Sequence, residues 1–175
     1  FYPKGVAVVG ASVNPEKVGY LFLTNLLDAG FSGKVYPVNP GLTEAFGLKA
    51  FPSVTAIPGE VDLAIIVVPA EATIAAVADC VAKGVKGALL ITSGFKEVGT
   101  AAGVELQEKL SEIAHQNGLQ LIGPNTLGLV NPSINLNATF QAPLRVIKSG
   151  SVAVATQSGG MCHFIIQALN NHNVG

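Results

Sequence analysis

The sequence predicts an α/β fold, a parallel sheet with helices packed on its faces. Short β-branched runs alternate with stretches of helical period, the pattern of repeated strand–helix units. Of the 175 residues, 49% are apolar and only 12% charged, against a usual charged share of roughly 25%. That balance suits a sheet covered on both sides. The run Leu63–Val68 is apolar throughout, as a central parallel strand must be.

Taken in order, strand one is Val6–Val9 and ends at Gly10. A helix begins between Pro15 and Gly19 and stops at Gly30, a natural residue just past a helix end. Strand two is Lys34–Val38 and strand three Leu63–Val68. The next helix sets Ile74, Val77, Ala78 and Val81 on one face and closes at Gly84. Strand four is Ala88–Thr92; the helix after it carries Leu106, Leu110, Ile113 and Ala114 inward and leaves His115 on the surface. Strand five is Leu119–Ile122. These steps complete a Rossmann-like domain over residues 1–128. Residues 129–150, with Pro132 and Pro143, read as an irregular crossover segment. A further βα unit follows over 151–175: a strand at Ser151–Thr156, the turn Gln157–Gly160, and a helix to about Asn170. One strand and one helix cannot bury a core, so this reads as the first unit of a truncated, flavodoxin-like second domain.

Composition excludes several classes. Lys and Arg total 10 against 11 acidic residues, so no field attracts nucleic acid. The longest apolar run is far short of the ~20 residues that cross a bilayer, and no signal peptide opens the chain. A cytoplasmic protein with no membrane partner is expected. Cys80 and Cys162 fall on separate predicted helices and read as reduced, structural thiols. The three histidines have no Cys or acidic neighbours at ligand spacing, so no metal site is expected. The chain opens Phe1-Tyr2-Pro3 without Met, which reads as an excised fragment.

Ligands of open parallel sheets bind beyond the carboxyl ends of the strands. After strand one comes Gly10-Ala11-Ser12-Val13-Asn14-Pro15-Glu16-Lys17. Gly10 permits a tight turn and close approach of a phosphate to the backbone, so Gly10 and Ala11 are expected cofactor contacts, while amides at the helix start, the Ser12 hydroxyl, Asn14 and Lys17 suit anionic oxygens. This is not G-x-G-x-x-G, since Ala11 and Ser12 follow the glycine. Strand two ends Val38-Asn39-Pro40 with no acid before Glu44, so the carboxylate that grips the ribose of NAD is absent. Val68-Pro69 offers an apolar wall for an adenine ring. The loop Ile91-Thr92-Ser93-Gly94 is rich in hydroxyls and small residues. In Gly123-Pro124-Asn125 the Asn carboxamide is left to meet a ligand amide, which the pantetheine arm of coenzyme A has and NAD lacks in that region. Each loop by itself also reads as an ordinary turn; together they favour CoA.

The series Val8-Val9-Gly10-Ala11-Ser12, Tyr36-Pro37-Val38-Asn39-Pro40, Val68-Pro69-Ala70-Glu71, Thr92-Ser93-Gly94-Phe95, Gly123-Pro124-Asn125-Thr126-Leu127-Gly128, Leu136-Asn137-Ala138-Thr139-Phe140 and Gln157-Ser158-Gly159 resembles, in order, the N-terminal part of the NDP-forming acyl-CoA synthetases. This family includes ADP-forming acetyl-CoA synthetase and is related to the succinyl-CoA synthetase α subunit. The resemblance implies CoA phosphates near Ser12, Val13 and Asn14, adenosine near Val38–Pro40 and Val68-Pro69, and pantetheine running past Ile91–Ser93 toward Asn125. It implies an organic acid substrate, with ATP or ADP and Mg held on an ATP-grasp domain or subunit, and an oligomeric full-length protein. The phosphoryl-carrying histidine would lie beyond this chain, which alone would bind cofactor without turnover.

Glycines at a helix start expose free amides, so Ser158, Gly159 and Gly160 form a candidate cradle for a phosphohistidine or acyl-phosphate. His163, one turn further on, is a candidate substrate contact. Where family members carry Lys after the Asn-Pro turn, Gly41 and Leu42 stand here, and Lys17, Lys49 and Lys96 are the possible replacements for the CoA 3′-phosphate contact. Thr126 takes the place of the usual Cys. Open alternatives are a CoA-sensing synthetase-like module of a protein acetyltransferase, a non-catalytic CoA-binding protein and, least favoured, an NAD oxidoreductase.

Overall fold

The computed structural model describes residues 1–141 and 147–175. Five parallel strands form the sheet: β1 (Gly5–Val9), β2 (Lys34–Val38), β5 (Leu63–Ile66), β6 (Gly87–Leu90) and β7 (Gln120–Ile122), in the order β2-β1-β5-β6-β7. The chain runs outward from β1 to β2 on one side, then returns to β5 on the other. The doubly wound switch point therefore lies between β1 and β5, where such sheets bind ligands. All five residues of β1 and all four of β5 are buried.

Alternation along β1 divides the core. Val6 and Val8 face helix α1 (Val18–Asp28), packing with its Phe22, Leu23 and Leu26. Ala7 and Val9 face the side of α2 (Thr73–Lys83) and α3 (Ala101–Gln116), with Val77, Cys80, Leu110 and Ala114. Along α2 the inward residues are Thr73, Val77 and Cys80; Ala78, expected on that face, is exposed. Ile74 and Val81 still pack on the core, half-buried, and Thr73 opens the buried row with its hydroxyl donating to the Ala70 carbonyl (2.6 Å). His115 is exposed, as the period of α3 requires.

No helix joins β2 to β5. A short hairpin, β3 (Glu44–Ala45) with β4 (Leu48–Lys49), leads into a loop whose Val54, Ile57 and Val61 complete the core. Asp79 of α2 fixes that loop, accepting from the Val54 amide (2.5 Å) and the Thr55 hydroxyl (2.7 Å). Asp62 fixes the start of β1 in the same way, accepting from the Lys4 and Gly5 amides at 2.8 and 3.2 Å. These bonds hold the Asp62 carboxyl below the usual carboxylate range, and the nearby Lys86 ammonium reinforces the effect.

Two expectations are corrected. The segment expected to be an irregular crossover holds an antiparallel hairpin, β8 (Gly128–Asn131) and β9 (Leu136–Thr139). Pro132 opens its turn and Asn135, at φ 55°, closes it. Leu136 and Ala138 are fully buried against α1, so the first core continues past residue 128. Pro143 lies outside the described residues. Ser151–Thr156 form no strand, because no neighbouring strand pairs with them among the described residues. Helix α4 (Gly159–Asn171) does form, capped by Ser158, whose Oγ accepts from the Met161 amide at 3.3 Å. Both cysteines are free: Cys80 is buried, which pushes its thiol up to about 12, and Cys162 is half-buried. No described helix is long and apolar enough to cross a membrane.

Candidate cofactor site

The loops after β1, β2, β5, β6 and β7 meet at the carboxyl edge of the sheet, and hydrogen bonds tie each to the next. The Gly10 and Ala11 amides donate to the Val38 carbonyl, at 2.9 and 3.2 Å. They are therefore spent on the fold and not open to a phosphate, contrary to the sequence expectation. The reason is that α1 starts only at Val18, so the amides after Gly10 belong to the strand edge. What remains open is further along. The Ser12 Oγ accepts from the Asn14 amide (3.0 Å), which leaves its own O–H to donate. The Ser12 and Val13 amides have no acceptor among the described residues. Lys17 is exposed at the N-cap of α1, on the same loop.

Gly19, which the sequence reading passed over, sets how close α1 comes. A Cβ there would lie 2.1 Å from the Gly10 carbonyl oxygen. The helix thus rests directly on the loop backbone, the role a glycine plays in close helix–strand packing. The signal was legible: a second glycine in the first turn of the helix that follows Gly10.

Asn39 acts as a fastener. Its Nδ2 donates to the Ala11 carbonyl and its Oδ1 accepts from the Gly41 amide, both at 2.8 Å. Val38 is buried, so its side chain belongs to the core, while Pro40 and Pro69 are exposed at the rim beside half-buried Val68. The Thr92 hydroxyl donates to the Val68 carbonyl, and the Thr92 carbonyl accepts from the Asn125 amide (3.0 Å). Glu97 takes the Gly94 amide at 2.8 Å. Ser93 and the Asn125 carboxamide are exposed and have no partner among the described residues.

Ile91 and Asn125 line a groove of about 490 Å³ with Val18, Leu127, Phe140 and Gln141. Thr126, Gln157, Gly159 and Gly160 complete its lining, the two glycines in the first turn of α4. The Gly159 and Gly160 amides have no acceptor among the described residues, whereas the Ser158 hydroxyl is engaged in the cap. His163 is not among the residues lining this groove; its Nδ1 is buried without a partner among the described residues and its ring meets Phe164 edge-on at 6.3 Å. Of the three lysines weighed for a phosphate, Lys17 alone sits on the Ser12 loop. Lys49 lies over the Phe51 ring at 5.5 Å, and Lys96 lines an adjoining cavity that shares Asn125, Thr126, Leu127, Gln157 and Gly159 with the groove. No cluster of three or more His, Cys, Asp or Glu suited to a metal occurs among the described residues.

Fold and loops together define a doubly wound α/β domain, of the kind whose ligands bind at the switch point, here between β1 and β5. Residues 4–132 match the family model of the CoA binding domain, and the chain belongs to that family. It is 46% identical over 175 residues to the alpha subunit of acetate–CoA ligase (ADP-forming) II of Pyrococcus furiosus, covering 100% of this chain and 37% of the subunit. The acetate–CoA ligase (ADP-forming) of Methanocaldococcus jannaschii is 44% identical over 174 residues, 99% of this chain and 24% of the ligase. A solved structure of acetyl-coenzyme A synthetase 1 of Ca. Korarchaeum cryptofilum, in complex with phosphate and ADP, superposes with a TM-score of 0.92 at 44% identity, covering 100% of this chain and 37% of that one. The chain thus spans between about a quarter and somewhat over a third of these relatives.

Proposed function

We propose that this chain is the CoA-binding portion of an NDP-forming acyl-CoA synthetase, which interconverts an organic acid, CoA and ATP with acyl-CoA, ADP and phosphate. The likeness that runs from end to end of the chain to ADP-forming acetate–CoA ligases is the observation that carries this reading.

The residues fit the cofactor. The Ser12 hydroxyl, the Ser12 and Val13 amides, Asn14 and Lys17 supply donors and one cation for its phosphates. Val68, Pro69 and Pro40 form an apolar rim for the adenine. Asn39, Thr92 and Gly94 act indirectly, holding the loops in register. Ile91, Ser93 and the Asn125 carboxamide flank the pantetheine path. Gly159 and Gly160, at the positive end of α4, would steady an acyl-phosphate or phosphohistidine, with Ser158 as the cap that holds them. Residues 151–175 are read as the first part of a second domain. Nucleotide and Mg would belong to an ATP-grasp domain or subunit, and the phosphoryl-carrying histidine to residues outside this sequence. The protein is proposed to act in the cytoplasm.

Calorimetric titration with CoA, 3′-dephospho-CoA and NAD tests the reading. CoA is expected to bind tightest; tighter binding of NAD would overturn the assignment. A weaker complex with dephospho-CoA would point to Lys17 as the 3′-phosphate partner.

A further inference from the structure

The groove beside Asn125 contains a polar group that the described residues leave without a partner. The Gln141 Oε1 is buried and has no hydrogen-bond partner among the described residues, and Gln141 lines the groove between Phe140 and the first turn of α4. Buried acceptors are paired in the great majority of folded proteins, because an orphan loses its water without replacement. A ligand that donates here removes that penalty.

Gln141 is held in place independently of any ligand. Its amide donates to the Thr139 Oγ1 at 3.3 Å. Thr139 is buried, donates to the Asn137 Oδ1 at 2.8 Å, and its carbonyl accepts from the Asn25 Nδ2 of α1, also at 2.8 Å. The end of β9 is therefore pinned to α1, and Gln141 follows at a fixed place on the wall. Asn125, also on this wall, presents a carboxamide without a partner among the described residues; Val18, Ile91, Leu127 and Phe140 supply apolar wall, and Thr126 and Gln157 add polar groups. An elongated ligand with apolar spacers and amide groups matches this lining.

We infer that Gln141 is a binding residue for the pantetheine arm, its Oε1 accepting an amide N–H of that arm while Asn125 pairs with the other polar groups. This rests on the CoA reading above and adds to it a residue that neither the loop motifs nor the resemblance singled out. The arm is the part of CoA that carries the two amides; the adenosine bisphosphate part has none and is assigned above to the Ser12 loop and the Pro40, Val68 and Pro69 rim.

The test compares CoA with adenosine 3′,5′-bisphosphate, which lacks the arm, on the wild type, Gln141→Leu and Gln141→Met. Both variants remove the acceptor, and Met keeps the length of the side chain. CoA affinity is expected to fall about tenfold in each, the size of one lost hydrogen bond to a neutral partner left unpaired. Bisphosphate affinity should stay within twofold, which also reports that the variants are folded. Equal weakening of both ligands would assign Gln141 a structural role and overturn the inference. Unchanged CoA affinity in both variants would overturn it too, leaving the cofactor reading intact. A wild type that binds neither ligand would overturn the cofactor reading itself.

Discussion

Gly19→Ala separates two opposed physical effects. Gly19 lies in the first turn of α1, and helix propensity alone says that alanine should stabilise by about 1 kcal/mol. The packing says otherwise. The added methyl would lie 2.1 Å from the Gly10 carbonyl oxygen, 3.0 Å from its carbon and 3.2 Å from the Ala11 Cα. All three are backbone atoms and cannot rotate away. Restoring ordinary contact distances requires moving the start of α1 by roughly 1 Å, since carbon contacts are optimal near 3.5–4.0 Å. That motion loosens Phe22, Leu23 and Leu26, all fully buried. Overpacking of this kind costs about 1–3 kcal/mol, and a clash confined to backbone belongs at the top of the range. Subtracting the propensity gain leaves a destabilisation of about 2 kcal/mol, or a Tm lower by about 4–8 °C for a chain of this size. Thermal and urea unfolding give the number. Gly41→Ala is the control, because its methyl meets only the Asn39 Oδ1 at 3.4 Å, and it should fall within ~0.5 kcal/mol of wild type. CoA affinity should drop in Gly19→Ala and not in the control. A Gly19→Ala protein as stable as wild type, or more stable, would refute the packing argument.

Other outcomes follow from the same geometry. Asn39→Ala removes the bonds to the Ala11 carbonyl and the Gly41 amide, and should cost about 1–3 kcal/mol in urea unfolding while weakening CoA binding through the loosened loops. Asp62 contributes stability through a folded pKa below its unfolded value, so the contribution is complete above about pH 4–5 and lost as pH falls through the folded pKa. Asp62→Asn should therefore lower stability at pH 7 by about 1–3 kcal/mol, with the difference from wild type shrinking in acid; a gap that widened below pH 4 would contradict the assignment. Ser158→Ala removes the cap of α4 and should speed amide exchange at Met161, by an amount equivalent to about 1 kcal/mol. At pH 8 a thiol reagent should modify Cys162 well before Cys80, whose thiol is buried and raised to about 12; equal rates would mean that α2 opens readily.

Much of this molecule was legible in its sequence. Local chemistry placed β1, β2, β5, β6 and β7 to within a residue or two, since apolar β-branched runs bounded by glycine leave little choice. The missing acid after Val38 and the Gly-Pro-Asn turn pointed to CoA over NAD, because they depend only on residue type at a strand end. Tertiary structure decided what the same loops do. Gly10 and Ala11 looked like phosphate ligands, yet their amides are taken by the Val38 carbonyl of a neighbouring strand. Asn39 looked like a ligand contact and serves as a fastener to Ala11. The β8–β9 hairpin was hidden among prolines and asparagines, because its stability comes from burying Leu136 and Ala138 on α1, more than a hundred residues away in sequence. Gln141 carried no local signal at all. Its significance lies in an acceptor that lines a groove without a partner among the described residues, and such a pairing, or its lack, exists only in three dimensions.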